Sequence, residues 1–145
     1  MLRKQLEQFN HIMQGIEKFY EDYAKSVGLS YMSLTVLQIL YHTENPITQK
    51  EICAESHYNK QVVNTIVKNF YESGYVSFEE VPKDRRNKYV LFTERGKAYA
   101  DEIMIPLGKK EDNALLVLSE EEREKMLYML ERCYEGFQKQ EQVTD

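Results

Sequence analysis

The chain contains no tryptophan, two cysteines and three prolines among its 145 residues. The cysteines, Cys53 and Cys133, lie far apart in segments that we predict to be helical, so neither a CxxC redox pair nor a zinc cluster is available. We expect both thiols to be reduced and buried as small apolar side chains, with no metal site. A hydrophobic content of 42% is enough for one core without disulfides.

Long apolar runs are absent as well. No stretch approaches the length of a membrane span, and the first residues, MLRKQLEQFNHIM, lack the apolar segment of a signal peptide. We therefore expect a cytoplasmic protein. The motifs of enzymes are missing too: there is no glycine-rich phosphate loop, no Gly-x-Ser-x-Gly and no histidine placed with an acid and a nucleophile. The sequence predicts a protein that is not an enzyme and has no cofactor.

Positive charge is in the minority, with 19 basic and 24 acidic residues and a net charge of −5. That balance alone argues against nucleic-acid binding, because contacts with phosphate need clustered lysine and arginine. The distribution of the charges points the other way. Residues 57–97 contain eight basic and five acidic residues, so this window carries +3 and the rest of the chain −8. A basic middle with acidic flanks is typical of a protein that presents one face to DNA.

Both ends of the chain predict helices. Apolar residues recur in residues 1–28 at alternating steps of four and three, which is the heptad pattern of a long helix packed against other helices. These residues are Leu2, Leu6, Phe9, Met13, Ile16, Tyr20, Tyr23 and Val27. The aromatic members are too large for a simple two-stranded coiled coil. We therefore predict that residues 1–28 and 107–140 form a multi-helix dimerisation region around one domain, residues 1–145.

We predict that residues 30–100 form a separate lobe, in which each helix begins at a residue that can cap its N-terminus. Ser30 can cap a helix that ends before Asn45-Pro46, and Thr48 with Glu51 forms a capping box that opens a short helix, roughly residues 49–55. Asn59 can cap the next helix, KQVVNTIVKNFYESG. Thr93 and Ser119 can cap two further helices in the last part of the chain. We expect the first of these helices to break near Pro106 and Gly108.

The hydrophobic period changes from near 3.6 to near 2 after Gly74. The runs YVSFEEV and KYVLF predict a β-hairpin, with the six residues from Pro82 to Asn87 as a charged loop at its tip. Two helices joined by a tight turn and followed by a hairpin make a winged helix-turn-helix. The predicted fold class is therefore mainly α with a small β-hairpin wing.

The second helix of this motif and the hairpin tip supply the predicted DNA contacts. Asparagine and glutamine can pair with adenine edges, threonine can contact thymine, and lysine can reach phosphates. Arginine on a narrow loop can enter the minor groove. We expect Asp84 to orient Arg86 through a charge-assisted hydrogen bond. The alternative is a solvated helix face with a solubilising loop. The predicted contacts are Lys60, Gln61, Asn64, Thr65, Lys68, Lys83, Asp84, Arg85, Arg86 and Lys88.

The succession from Thr48 to Gly96 resembles the MarR-type regulators. The resemblance rests on TQKEI, on NKQVVN followed by GYV, on DRR, and on the LFTERG that closes the wing. It implies a homodimeric regulator, expected to be a repressor, that binds double-stranded DNA at a pseudo-palindromic operator and is released by a small effector. It also assigns roles: base reading to Gln61, Asn64 and Thr65, phosphate contacts to Lys60 and Lys68, and the minor groove to Arg86 with Asp84 as its partner.

Two alternatives remain open. The eleven tyrosines and six phenylalanines could line a pocket for a flat aromatic effector, or could simply form the core and the dimer interface. The candidate lining is Phe19, Tyr20, Tyr23, Tyr31 and Tyr41. The winged helix could also dock another protein instead of DNA, with its basic wing against an acidic partner. Operator binding predicts a steep salt dependence and a loss of affinity when a half-site is scrambled.

Overall fold

The computed structural model describes residues 1–143, in which six helices accompany one three-stranded antiparallel sheet. This confirms the predicted fold class. The described part of the chain forms two compact units, Met1–Ile105 and a second unit that begins at Pro106. In chain order the elements are α1 (Leu2–Ser26), α2 (Tyr31–His42), β1 (Ile47–Thr48), α3 (Gln49–Ser56), α4 (Lys60–Glu72), β2 (Val76–Val81), β3 (Asp84–Phe92), α5 (Glu94–Leu115) and α6 (Glu120–Glu141).

The predicted helix starts are confirmed, and each is marked by a side chain that accepts a hydrogen bond from a backbone amide. Ser30 Oγ accepts from the amide of Ser33 at 3.0 Å, and Asn59 Oδ1 from that of Val62 at 2.9 Å. The boxes at Thr48 and Ser119 are both complete. Thr93 Oγ1 accepts from the Gly96 amide at 3.0 Å. Because the first amides of a helix have no partner within it, these caps fix where each helix begins.

The core of the first unit lies where α2, α3 and α4 pack together. Leu34, Leu37, Ile52, Val63 and Val67 are almost fully buried there. The apolar face predicted for α4 is the face that is buried, since Ile66 and Phe70 join Val63 and Val67. This packing holds α4 rigidly and turns its polar face outward.

The sheet has the order β1-β3-β2. Strand β1, which the sequence analysis did not predict, pairs Ile47 with Val90, and the hairpin pairs Phe78 with the same Val90. The prediction of a six-residue loop at the hairpin tip was wrong. Only Pro82 and Lys83 lie between the strands, with Lys83 at φ +65°, and β3 begins at Asp84. A bulge between Glu80 and Val81 takes up the change of register.

The hairpin joins α5 through a tight junction around Gly96. A Cβ atom on Gly96 would overlap the backbone carbonyl of Tyr75, so only glycine fits. Thr93 Oγ1 donates to the Gly74 carbonyl at 2.6 Å. The rings of Tyr75 and Tyr99 stack with centroids 3.9 Å apart. These contacts fix the base of the hairpin against the first turns of α5.

Pro106 does not break α5, contrary to the prediction. The helix continues through it from Glu94 to Leu115. Proline removes one backbone hydrogen bond and its ring crowds the preceding turn. Buried Ile103, Met104 and Leu107 lie on both sides of the proline, and burial of this kind outweighs local helix propensity. The boundary between the two units falls at the same residue.

Helix α6 buries none of its residues within the single chain. The prediction that Cys133 is buried was therefore wrong, since its side chain is exposed, whereas Cys53 is half-buried. Within residues 1–143, no helix combines the length and the apolar character that crossing a membrane requires.

Candidate nucleic-acid interface

Helices α3 and α4 and the hairpin enclose an open cleft of about 630 Å³. Two helices of the motif thus form one wall and the wing forms the other. The cleft is lined by Gln49, Lys50, Cys53, Lys60, Asn64, Phe78, Arg86, Asn87 and Lys88. Four of the ten predicted DNA contacts therefore line this cleft, and the other six lie outside it.

The polar face of α4 is exposed along its length, as predicted. Lys60 and Asn64 line the cleft, while Gln61, Thr65 and Lys68 are exposed beside it. Thr65 Oγ1 donates to the carbonyl of Gln61 at 3.0 Å, so the hydroxyl proton is already used, while its oxygen can still accept a hydrogen bond and its methyl group can make apolar contacts. Lys68 Nζ lies 3.9 Å from Glu72 Oε1, with both side chains mostly exposed, and such pairs are weak in water.

The wing presents Arg86 and Lys88 to the cleft. Arg85 is exposed as well, but it does not line the cleft. Lys83 is exposed in the turn. The ten predicted contacts are therefore close in the chain, but they do not all share one surface.

Asp84 does not hold the guanidinium of Arg86, contrary to the prediction. Its carboxylate accepts hydrogen bonds from the backbone amide of Arg86 at 3.2 Å and from Asn87 Nδ2 at 2.7 Å. The bond to Asn87, the backbone bonds and the positive charge of Lys50 lower the pKa of the Asp84 carboxyl below its ordinary value. Asp84 therefore shapes the start of β3, because an Asx-type turn satisfies the backbone there.

The cleft is electropositive. Its nine lining residues include Lys50, Lys60, Arg86 and Lys88, and none of the nine carries a carboxylate. Asn64 lies among these cations and offers both a donor and an acceptor. Such a combination suits a polyanion with readable edges, because cations neutralise phosphate while an amide discriminates between bases.

Sequence reasoning missed Gln49, Lys50, Cys53, Phe78 and Asn87 as parts of this cleft. Lys50 could have been found, because it lies in the first turn of α3 and its side chain is exposed, away from buried Ile52. The other residues carry no such signal in the sequence. Their place depends on how closely the hairpin approaches α3 and α4.

The five candidate aromatic residues do not line one cavity. Tyr20 and Tyr31 border a shallow groove of about 390 Å³ together with residues of α1. Phe19 packs edge-on against Tyr20, with centroids 5.3 Å apart. Tyr23 donates to the carbonyl of Ile103 at 2.6 Å, and burial raises the pKa of its hydroxyl.

Tyr41 lies in a different cluster. Its hydroxyl donates to Asp101 Oδ1 at 2.7 Å, and Lys97 Nζ donates to the same oxygen at 3.1 Å. The bond to Asp101 raises the pKa of Tyr41, and the two bonds together lower the pKa of the Asp101 carboxyl. Tyr41 therefore joins α2 to α5, which is a structural role.

Comparison with known proteins gives a consistent result. Residues 27–87 match the model of the MarR family. An uncharacterized HTH-type transcriptional regulator of Bacillus subtilis, YwoH, is 28% identical over 122 residues, which cover 84% of this chain and 88% of that protein. The structure of NMB1585, a MarR family regulator from Neisseria meningitidis, is similar with a TM-score of 0.84 and 25% identity, covering 97% of this chain and 99% of that one.

The fold is also similar to that of S. aureus MepR in a complex with DNA. The TM-score is 0.72 with 19% sequence identity, and the match covers 90% of this chain and 96% of that one. The matched family and fold are those of transcriptional regulators and not of enzymes.

Proposed function

We propose that the chain is a MarR-type transcriptional regulator, which the match of residues 27–87 to the MarR family model supports, and that it reads a pseudo-palindromic operator in double-stranded DNA as a homodimer and represses transcription there. The single observation that carries the proposal is the cleft, in which the amide of Asn64 lies among four cations supplied by α3, α4 and the wing. A surface that merely kept the protein in solution would have no need to gather four cations around an amide with no carboxylate among the lining residues.

The arrangement of the cleft suggests how DNA is held. The exposed face of α4 enters the major groove, where Asn64 can make a bidentate contact with adenine and Gln61 and Thr65 can contact neighbouring bases. Lys50 and Lys60 contact the phosphates that border the groove. Arg86 reaches the adjacent minor groove, where its planar cation meets a strong negative potential over A·T-rich DNA. The solved complex of MepR with DNA supports this use of the fold.

Exposed apolar side chains on α1 and α6 support the homodimer. Large patches of this kind on a soluble chain usually mark an interface. On α1 they are Leu2, Ile12, Met13, Ile16 and Phe19, and on α6 they are Leu127, Tyr128, Met129, Leu130, Tyr134 and Phe137. A second copy of the chain would bury these apolar side chains together with Cys133, which lies among them on α6. A two-fold dimer would then require an operator with two-fold sequence symmetry.

The proposed effector that releases the protein from DNA is a small aromatic molecule. The groove beside Tyr20 and Tyr31 is the place for it, because two partly exposed rings there can stack on a flat ligand. It lies on α1, so that a bound ligand could alter the proposed dimer. The cytoplasm, where operators are found, is the proposed location.

In vitro selection tests the proposal. Wild-type protein is incubated with a library of random DNA duplexes, and bound duplexes are amplified over several rounds. We expect enrichment of a site with two-fold symmetry and an A·T-rich flank on each side. Enrichment of an asymmetric site would contradict the dimer. No enrichment would contradict operator binding and favour the alternative in which the winged helix docks another protein. Lys18→Ala, an exposed change on α1, is the control and should select the same site.

A further inference from the structure

We infer that the stacked pair of Tyr71 and Phe78 positions the wing relative to the recognition helix α4, and so sets the distance between the major-groove and minor-groove contacts. The two rings have centroids 5.1 Å apart and planes inclined by 30°. This inference rests on the proposed function, because it assigns a task to a contact that only a DNA-binding protein needs.

The first observation is where Tyr71 lies. It is seven residues after Asn64 on α4, and residues at that spacing share one face of a helix. Tyr71 is 53% exposed, so it adds little to the core. The tyrosine therefore lies on the face of α4 that the cleft residues Lys60 and Asn64 occupy, near the end of the helix.

The second observation is where Phe78 lies on the wing. One face of β2 and β3 begins with buried Val76, which pairs with Phe92 at the base of the hairpin. Phe78 pairs with Val90 and lines the cleft, and beyond it the same face carries the paired residues Glu80 and Lys88. Phe78 is therefore the point at which the wing changes from a packed strand to a charged arm.

These observations together assign the stack its role. Ile47 and Thr48 of β1 pair with Val90 and Tyr89 of β3, so the sheet restrains the hairpin up to the level of Phe78, and beyond that level the hairpin is a two-stranded ribbon. Without the ring pair this ribbon would bend more easily relative to α4, because isolated hairpins are marginally stable. Arg86 would then sample many distances from Asn64. The stack restricts that distance before DNA binds, which reduces the entropic cost of binding.

The test has one arm on the free protein. Hydrogen exchange is measured by mass spectrometry for Phe78→Ala, for Tyr71→Ala and for the matched control Ser77→Ala, whose side chain is exposed on the opposite face of β2. We expect both aromatic variants, but not the control, to exchange faster in peptides from residues 79–89, with exchange in α2 unchanged. Unchanged exchange in the wing of both variants would overturn the inference, whether or not a DNA site has been found.

The second arm measures binding to the duplex enriched by the wild-type protein. Phe78→Ala should weaken binding roughly three- to tenfold, because that factor corresponds to the free energy that one aromatic pair contributes. Phe78→Tyr should restore the affinity. Arg86→Ala should cost less affinity in the Phe78→Ala background than in the wild type, because a wing that is not positioned gains little from its arginine. Multiplicative effects of the two changes would overturn the inference. Failure of the wild type to enrich any duplex would count against the proposed function instead, and the exchange arm would then decide the inference alone.

Discussion

The carboxylate of Asp84 accepts a hydrogen bond from the backbone amide of Arg86 at 3.2 Å, two residues further along the chain. With the bond from Asn87 at 2.7 Å, it closes the start of β3 and leaves only Pro82 and Lys83 in the turn. The sequence suggested Asp84 as a partner of the Arg86 side chain. Asp84 instead bonds the backbone of Arg86, and so fixes the point on the wing from which the arginine side chain projects.

This relationship predicts a pH dependence of stability. The bonds to Asp84 lower its pKa in the folded protein below the ordinary value of 3.8. The stabilisation is therefore fully present above about pH 4 and is lost as the pH falls through the lowered pKa of the folded state. Asp84→Asn should unfold at a lower urea concentration than the wild type at pH 7, and the difference should shrink as the pH falls below 3.8. A difference that grew on acidification would contradict this account.

Gly96→Ala should destabilise the protein by about 3 kcal/mol or more, because the added methyl group overlaps the backbone of Tyr75 and forces the junction apart. Gly15→Ala is the matched control. Gly15 lies within α1 with nothing near the position of an added Cβ atom, so the same change should stabilise the helix by about 0.5–1 kcal/mol. Urea unfolding of both variants provides the comparison, and equal effects would refute the close approach at Gly96.

Lys50→Ala should weaken binding to the selected duplex and reduce the slope of log K against log salt by about one, as expected for the loss of one phosphate contact. The sequence analysis did not assign Lys50 to the DNA surface, whereas the structure places it in the cleft. Titrations by fluorescence anisotropy at several salt concentrations measure the slope. A loss of affinity no greater than that of Lys18→Ala would remove Lys50 from the interface.

Arg86→Ala and Arg85→Ala should differ, although the two arginines are adjacent and both are exposed. Arg86 lines the cleft and Arg85 does not. We expect Arg86→Ala to lose about 1–3 kcal/mol of binding free energy at the selected site, and Arg85→Ala to lose clearly less. Competition titrations of the two variants against the wild type measure both values, and a larger loss at Arg85 would mean that the wing meets DNA outside the cleft.

Much of the fold could be predicted because its signals are local. Caps such as Thr48 with Glu51 and Asn59 need only the residues within one helical turn, and the change of period after Gly74 marks the hairpin. The break predicted at Pro106 failed because burial of Met104 and Leu107 is a tertiary effect that outweighs the local cost of proline.

The candidate site was predicted less completely than the fold. Lys60, Asn64 and Arg86 were identified from helix periodicity and from the charge of the wing, and they line the cleft. Phe78 and Cys53 were not identified from the sequence. They line the cleft because the hairpin approaches α3 and α4, and no local sequence pattern encodes that approach. Cys133 was predicted to be buried from its neighbours on α6, but a single chain does not cover that helix.

The central claim, that a dimer reads a symmetric operator, is tested most directly by titrating the wild-type protein against the selected duplex and against the same duplex with one half-site scrambled, at two salt concentrations, with the stoichiometry measured. The account predicts two chains per intact site, a loss of affinity of at least tenfold when one half-site is scrambled, and a steep weakening with salt on both duplexes. Equal affinity for the two duplexes, or one chain per intact site at saturation, would contradict it.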